Sequence, residues 1–321
     1  MTRTLRVLAW PGMPAAGALD AAAATFGATV EVVAVSSNER LERLLAGPEP
    51  WDVVFPSDYL VERLRGQGRL ARLDAAVLPL DRLAAWAREL PFDPGCAVSV
   101  PFAYGTTGWL GVDAAAGDGR ESWAALFDPP AGVEVGMLDE LREVVGAALI
   151  AAGHDPNATD PAALERAQAL LRAQRPRVAR YDSDDFCGPV ESGAVAVHQA
   201  WSGPASHAVR RRPGLRYVVP REGATMWVTC AAVPADAPDP AASQRLIAEL
   251  MAPELAARTT REHGYATPNA AARIRLPADL ADDPVLFPDE ATLCRCHVLR
   301  DLGPEEARLA AVYRAGTGRD P

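Results

Sequence analysis

The stretch WDVVFPSDYLVERL, residues 51–64, brings a serine, an aspartate and a tyrosine together at one turn. Val53, Val54 and Phe55 predict a short buried strand, Pro56 ends it, and LVERL resumes at helical spacing. A strand that breaks into a polar, aromatic turn at a helix N-terminus is a place where α/β proteins hold ligands. Ser57 offers hydrogen bonds, Asp58 a charge, and Tyr59 a ring with a hydroxyl.

Other chemistry-bearing groups are sparse. Lysine is absent, so all 32 basic residues are arginine. No side-chain amine exists for a Schiff base, and no Gly-Lys-Ser/Thr phosphate loop can form, which excludes pyridoxal enzymes and loop-type nucleotide hydrolases. Cys294-Arg295-Cys296-His297 has the look of a metal or redox cluster. No second cluster with ligand spacing accompanies it, so these are read as inert helix or turn residues. The five cysteines are odd in number and scattered, unlike a disulfide framework. Asp182, Asp184 and Asp185 lack the glycine and distal glutamate of a calcium loop and are read as a helix cap. No GxSxG elbow, zinc motif or dinucleotide glycine fingerprint is present, and no cofactor is expected.

The elements that must position these groups alternate. Strands are predicted at 5–10, 29–35 and 52–55, with helices at 15–26 and 36–47, the second carrying Ser36 and Glu39 in capping-box register. This βαβαβ order implies a mostly parallel sheet covered by helices. Residues 98–113 form a long extended stretch. A second α/β unit follows: a short helix at 121–127, a strand at 133–136, a helix at 137–153 ended by Gly153, and another helix opened by Asp160-Pro161 as cap and first-turn proline. Strands are expected at 177–181, 194–201 and 215–220, a second long extended segment at 224–234, and mainly helix thereafter.

The chain of 321 residues is long enough for two domains, and its net charge of −10 argues against a nucleic-acid partner while mildly favouring a cationic one. No run of 18 apolar residues and no leader-like apolar stretch is seen. The expected location is periplasmic or cell-surface if a leader was trimmed, and cytoplasmic if Met1 is the native start.

The order and wording of the motifs resemble one family: the spermidine/putrescine substrate-binding proteins of ABC transporters. The matching phrases run nearly end to end. They are RVLAWPG (6–12), WDVVFPSDYLVERLRGQG (51–68), PFAYGTTGWLGVD (101–113), ESWAALFDP (121–129), LREVVGAAL (141–149), ESGAVAVHQAWSG (191–203), VVPREGATMWV (218–228), GYATPNAAAR (264–273) and LFPDEATL (286–293). The resemblance implies an α/β, two-lobed periplasmic-binding-protein-like (type II) fold with two interlobe crossovers and a ligand cleft. Lobe one is expected at 1–106 with 228–272 and lobe two at 107–227 with 273–321, hinged near 104–112 and 225–233. It also implies a receptor rather than an enzyme, expected to be a monomer, that takes a small organic amine and hands it to ABC transporter permease subunits.

The same resemblance marks candidate binding residues. Trp10 stands where an aromatic follows the first strand, Ser57-Asp58-Tyr59 is the turn that lines the cleft, and Tyr104 and Tyr265 match further aromatics. Glu140 and Glu143 match two carboxylates that grip an ammonium; at i and i+3 they would share a helix face. Trp201 and Trp227 match the tryptophans that sandwich a methylene chain, and each ring face attracts a cation by about 0.5–2 kcal/mol. Plainer readings stand beside these: rim aromatics for Trp10 and Tyr59, a solvated helix turn around Arg142 for the two glutamates, and a shared core cluster for the two tryptophans.

Three positions depart from the family pattern. Thr229 stands where polyamine receptors place an aspartate near the central amine, Leu299 replaces a glutamine at the far end, and Met13 or a gap replaces a tyrosine after Trp10. A site without the second carboxylate favours a ligand with one cationic end, or a diamine-like or substituted amine, over spermidine. The competing reading is a leaderless cytoplasmic amine sensor or an enzyme on the same fold, which would need His198 or Cys230 beside the ligand as base or nucleophile.

Overall fold

The computed structural model describes residues 3–15, 17–35, 37–112 and 121–320. In chain order its main elements are β1 (Arg3–Ala9), α1 (Ala18–Ala24), β2 (Ala28–Ala34), α2 (Asn38–Leu45), β3 (Val53–Val54), α3 (Asp58–Gly66) and β4 (Ser99–Gly111). They continue with β5 (Val135–Met137), α4 (Leu141–Ala151), α5 (Pro161–Gln174), β6 (Val178–Tyr181), β7 (Val197–Trp201), α6 (Ser202–Arg211), β8 (Arg216–Val218) and β9 (Ala224–Ala232). Then come α7 (Pro240–Leu250), α8 (Pro253–His263), β10 (Cys296–Val298) and α9 (Glu306–Thr317). The α/β class and the alternating order agree with the pattern of apolar runs. No helix among the described residues is long and apolar enough to cross a membrane.

The chain divides into two compact units: Met1–Tyr104 with Val228–Asp282, and Gly105–Trp227 with Asp283–Pro321. The division falls inside β4, between Tyr104 and Gly105, and inside β9, between Trp227 and Val228. The first unit's return segment runs to Asp282 rather than 272.

In the first unit β1 pairs in parallel with β2, from Arg3↔Ala28 to Ala9↔Ala34, and with β3 through Val7↔Val53 and Leu8↔Val54. Antiparallel Val54↔Ala232 adds the end of β9. Leu5, Val7, Val53 and Phe55 are fully buried with α1 and α7 against them. The capping box expected at 36–39 rests on Ser36, which lies outside the described residues. The N-cap of α2 is Ser37, whose hydroxyl accepts from Arg40 N at 3.2 Å.

In the second unit β5 pairs in parallel with β6 and β7, and β7 runs antiparallel to the end of β4 from Thr107↔Trp201 to Gly111↔Val197. β8 lies against β4 and β10 against the start of β9. Trp109, Trp123, Leu149, Val197 and Tyr313 belong to this unit's own buried core. Asp160 caps α5 as its sequence predicts, accepting from Ala163 N at 3.0 Å with Pro161 in the first turn. Asp182 Oδ1 accepts from Asp184 N and Asp185 N, and Asp185 Oδ1 accepts at 2.8 Å from the N–H of Gly188, the first residue of the next helix, so an aspartate of this run bonds the helix start.

Candidate functional site

The second unit builds its candidate site on one face of its sheet. Trp201 lies directly opposite Thr107 across β7 and β4. Cross-strand partners share a face, and so do residues two apart, so Gly105 belongs to it as well. A Cβ at Gly105 would come within 2.4 Å of Trp227 Cζ2 and 2.8 Å of Ser202 Oγ. Only a glycine lets the Trp227 ring lie down on the strand. Both tryptophans are half-buried, and Trp201 also meets Phe186 edge-on, with centroids 5.5 Å apart.

Glu143 faces this surface from the third position of α4. Its Oε2 accepts from Thr225 Oγ1 at 2.6 Å and its Oε1 from Trp201 Nε1 at 3.2 Å. The start of α4 is tethered to β7 by Gln199, whose Nε2 donates to Glu143 O at 2.9 Å. The side chain is buried, and that burial pushes its carboxyl above the ordinary 4.5; the bonds from Thr225 and Trp201 pull the other way. A carboxylate held by neutral donors in a buried aromatic setting is a place for a cation, since an ionised group there loses several kcal/mol of hydration that a partner charge offsets.

Glu140 differs from Glu143 in setting. It is the N-cap of α4, with extended backbone at φ −137 and ψ 116, and it is exposed. Arg142, placed between them, is buried rather than solvated; it donates to Arg300 O and Asn157 Oδ1.

Several residues of this cluster escaped the sequence reading. Thr225 lies two residues before Trp227 on β9, and that period-2 spacing to an aromatic was the available signal. Tyr217 donates to Thr106 O at 2.7 Å, so the Thr106 hydroxyl donates in turn to Tyr217 Oη at 2.9 Å. Ser202 Oγ accepts from Thr106 N at 3.2 Å.

In the first unit the turn at 57–59 has mixed roles. Asp58 is only 1 % exposed; Oδ1 accepts from Tyr59 N and Oδ2 from Val228 N. Its carboxylate ties the first turn of α3 to the backbone of β9. Ser57 donates its N–H to Asn38 Oδ1 and pairs with Thr229, which is itself buried. Tyr59 is half-buried, with its hydroxyl 3.4 Å from Glu39 Oε1.

The remaining aromatics of this unit pack inward to different depths. Tyr104 is buried, edge-on to Trp86 at 4.9 Å, and bonds Ala266 O through its N–H. Trp10 and Tyr265 are half-buried against the core of this unit. Met13 and Leu299 are buried apolar residues.

The groups an enzyme reading would use are sealed. His198 is fully buried, its Nδ1 2.6 Å from Gln199 O and its ring face on Gly136, where a Cβ would meet Cδ2 at 1.9 Å. Burial holds its pKa down to about 4. Cys230 is fully buried too, which pushes its thiol well above 9.0. Cys294 is exposed, and Cys296 donates its thiol to Thr292 O. Among the described residues no group of three or more His, Cys, Asp or Glu side chains is placed to hold a metal ion.

Residues 18–288 match the model of the bacterial extracellular solute-binding proteins. The chain belongs to this family. Among characterised members, the spermidine/putrescine-binding periplasmic protein 1 of Haemophilus influenzae is 32% identical over 305 residues, covering 94% of this chain and 85% of the relative. The putrescine/cadaverine-binding protein of Pseudomonas aeruginosa is 30% identical over 292 residues, covering 85% and 81%. The fold matches the crystal structure of the spermidine/putrescine ABC transporter substrate-binding protein PotD of Streptococcus pneumoniae in complex with calcium and HEPES, with a TM-score of 0.87 at 24% identity over 99% of both chains. The family resemblance and the fold class read from the sequence are thereby borne out. These solute-binding proteins are binding proteins, and the buried state of His198 and Cys230 accords with that.

Proposed function

We propose that this solute-binding protein is the receptor of an ABC importer for an organic amine of the polyamine type, working on the outer side of the cytoplasmic membrane and delivering its solute to the permease subunits. The observation that carries the reading is Glu143: a buried carboxylate of α4, positioned by neutral donors, facing the sheet surface that presents Trp201 and Trp227. An alkylamine has the complementary parts. Its ammonium finds the carboxylate, and its methylenes find the indole faces. The relatives named for spermidine, putrescine and cadaverine support the same class. Ser57, Tyr59, Trp10, Tyr104 and Tyr265 are proposed as the first unit's contribution.

The test is calorimetric titration with putrescine, cadaverine and spermidine, repeated on Glu143→Gln. Amine binding that falls by about tenfold or more in the variant, with its melting temperature kept, supports the reading. Unchanged affinity removes Glu143 from the site.

A further inference from the structure

We propose that Phe186 is a positioning residue of the amine site: its ring, edge-on against Trp201, sets the tilt of the indole face and aims the indole N–H at Glu143. This rests on the amine reading above and deepens it. The two ring centroids stand 5.5 Å apart at an interplanar angle of 85°. In that geometry the positive edge of one ring meets the negative face of the other, so turning either ring weakens the contact. Trp201 Nε1 donates to Glu143 Oε1 at 3.2 Å. A half-buried indole keeps such a direction only where neighbours stop it turning about its side-chain torsions.

Phe186 is itself well anchored. It is buried in a small cluster with Leu110, Leu138, Val190 and Ala205, and Trp201 packs against that cluster. The turn that carries it is built by the aspartates at 182–185. Asp182 N donates to Met137 O at the end of β5, and Asp182 Oδ1 accepts from Asp184 N and Asp185 N. Asp185 Oδ1 then accepts from Gly188 N at 2.8 Å. Phe186 thus lies between fixed stretches of backbone, and its ring is a firm stop for the indole. The aspartate run serves the site through Phe186 and Trp201. All of these residues belong to the second unit.

Positioning and plain packing differ in one measurable respect. A residue that acts through Trp201 loses its influence on binding once the indole is gone. Putrescine and spermidine are titrated calorimetrically into the whole chain, Phe186→Leu, Trp201→Leu and the double variant. Phe186→Leu is expected to weaken binding about 3- to 10-fold in the parent, and by less than about twofold on the Trp201→Leu background. Melting temperatures verify that each variant is folded at the titration temperature. If Phe186→Leu is not, Phe186→Met fills the space with a flexible chain and carries the same comparison. Affinity unchanged by Phe186→Leu, or an equal loss on both backgrounds, overturns the inference and leaves the amine reading standing. Unaltered affinity in Trp201→Leu does the same, because the indole then takes no part. A parent that binds neither amine overturns the amine reading and this inference together.

Discussion

The Thr225 hydroxyl donates to Glu143 Oε2 at 2.6 Å, joining residues 82 positions apart in the chain. Strand β9 thus fixes the carboxylate that helix α4 supplies. Thr225→Val keeps the side-chain shape and removes the donor, leaving a buried acceptor short of a partner. A loss of about 1–3 kcal/mol in urea unfolding is expected, with weaker amine binding. A variant as stable as the parent would show that this bond does not hold the carboxylate.

The pH dependence follows from the same group. Burial raises the Glu143 carboxyl above its ordinary 4.5, so its contribution to folding stability is complete below 4.5 and is lost as pH rises through the raised value. Amine binding runs the opposite way, because the cation needs the ionised form. Affinity should therefore fall as pH is lowered through that raised value, before ordinary exposed carboxylates titrate, with a proton released on binding. Titrations in buffers of different ionisation enthalpy would detect the proton, and an affinity that stays flat down to 4.5 would exclude the linkage.

Gly105→Ala tests the seating of Trp227. The new methyl would lie 2.4 Å from the indole and 2.8 Å from Ser202 Oγ, closer than atoms pack, so the ring must lift. Overpacking of this kind costs about 1–3 kcal/mol. A shifted tryptophan emission spectrum and a marked loss of amine affinity are expected. Retained affinity would mean that the Trp227 ring takes no part in binding.

Asp58→Ala separates architecture from recognition. It strips acceptors from Tyr59 N and Val228 N and should destabilise the protein by about 1–3 kcal/mol. The ranking of amines by affinity should not change, since the carboxylate faces the backbone. A reordered ranking in titrations would restore Asp58 as a ligand contact.

The family, the α/β class and most elements were legible in the sequence because their signals are local. Val53-Val54-Phe55 before Pro56 marks a buried strand whatever surrounds it, and Asp160-Pro161 marks a helix start through cap chemistry confined to one turn. The aromatics Trp201 and Trp227 could likewise be named from their phrases.

Which side chains meet was decided only in three dimensions. The residues Glu140 and Glu143 look equivalent at a spacing of three, yet α4 begins at Leu141, and that boundary leaves one exposed and the other buried. Asp58 and Thr225 have the same character: the sequence shows a carboxylate and a hydroxyl, and only β9 determines that the first serves Val228 N and the second serves Glu143. By itself the sequence determined the kind of protein this is, through short-range patterns of burial, capping and wording. The tertiary structure decided which carboxylate is buried among neutral donors beside the tryptophans, because burial and hydrogen-bond partners are properties of neighbours distant in the chain.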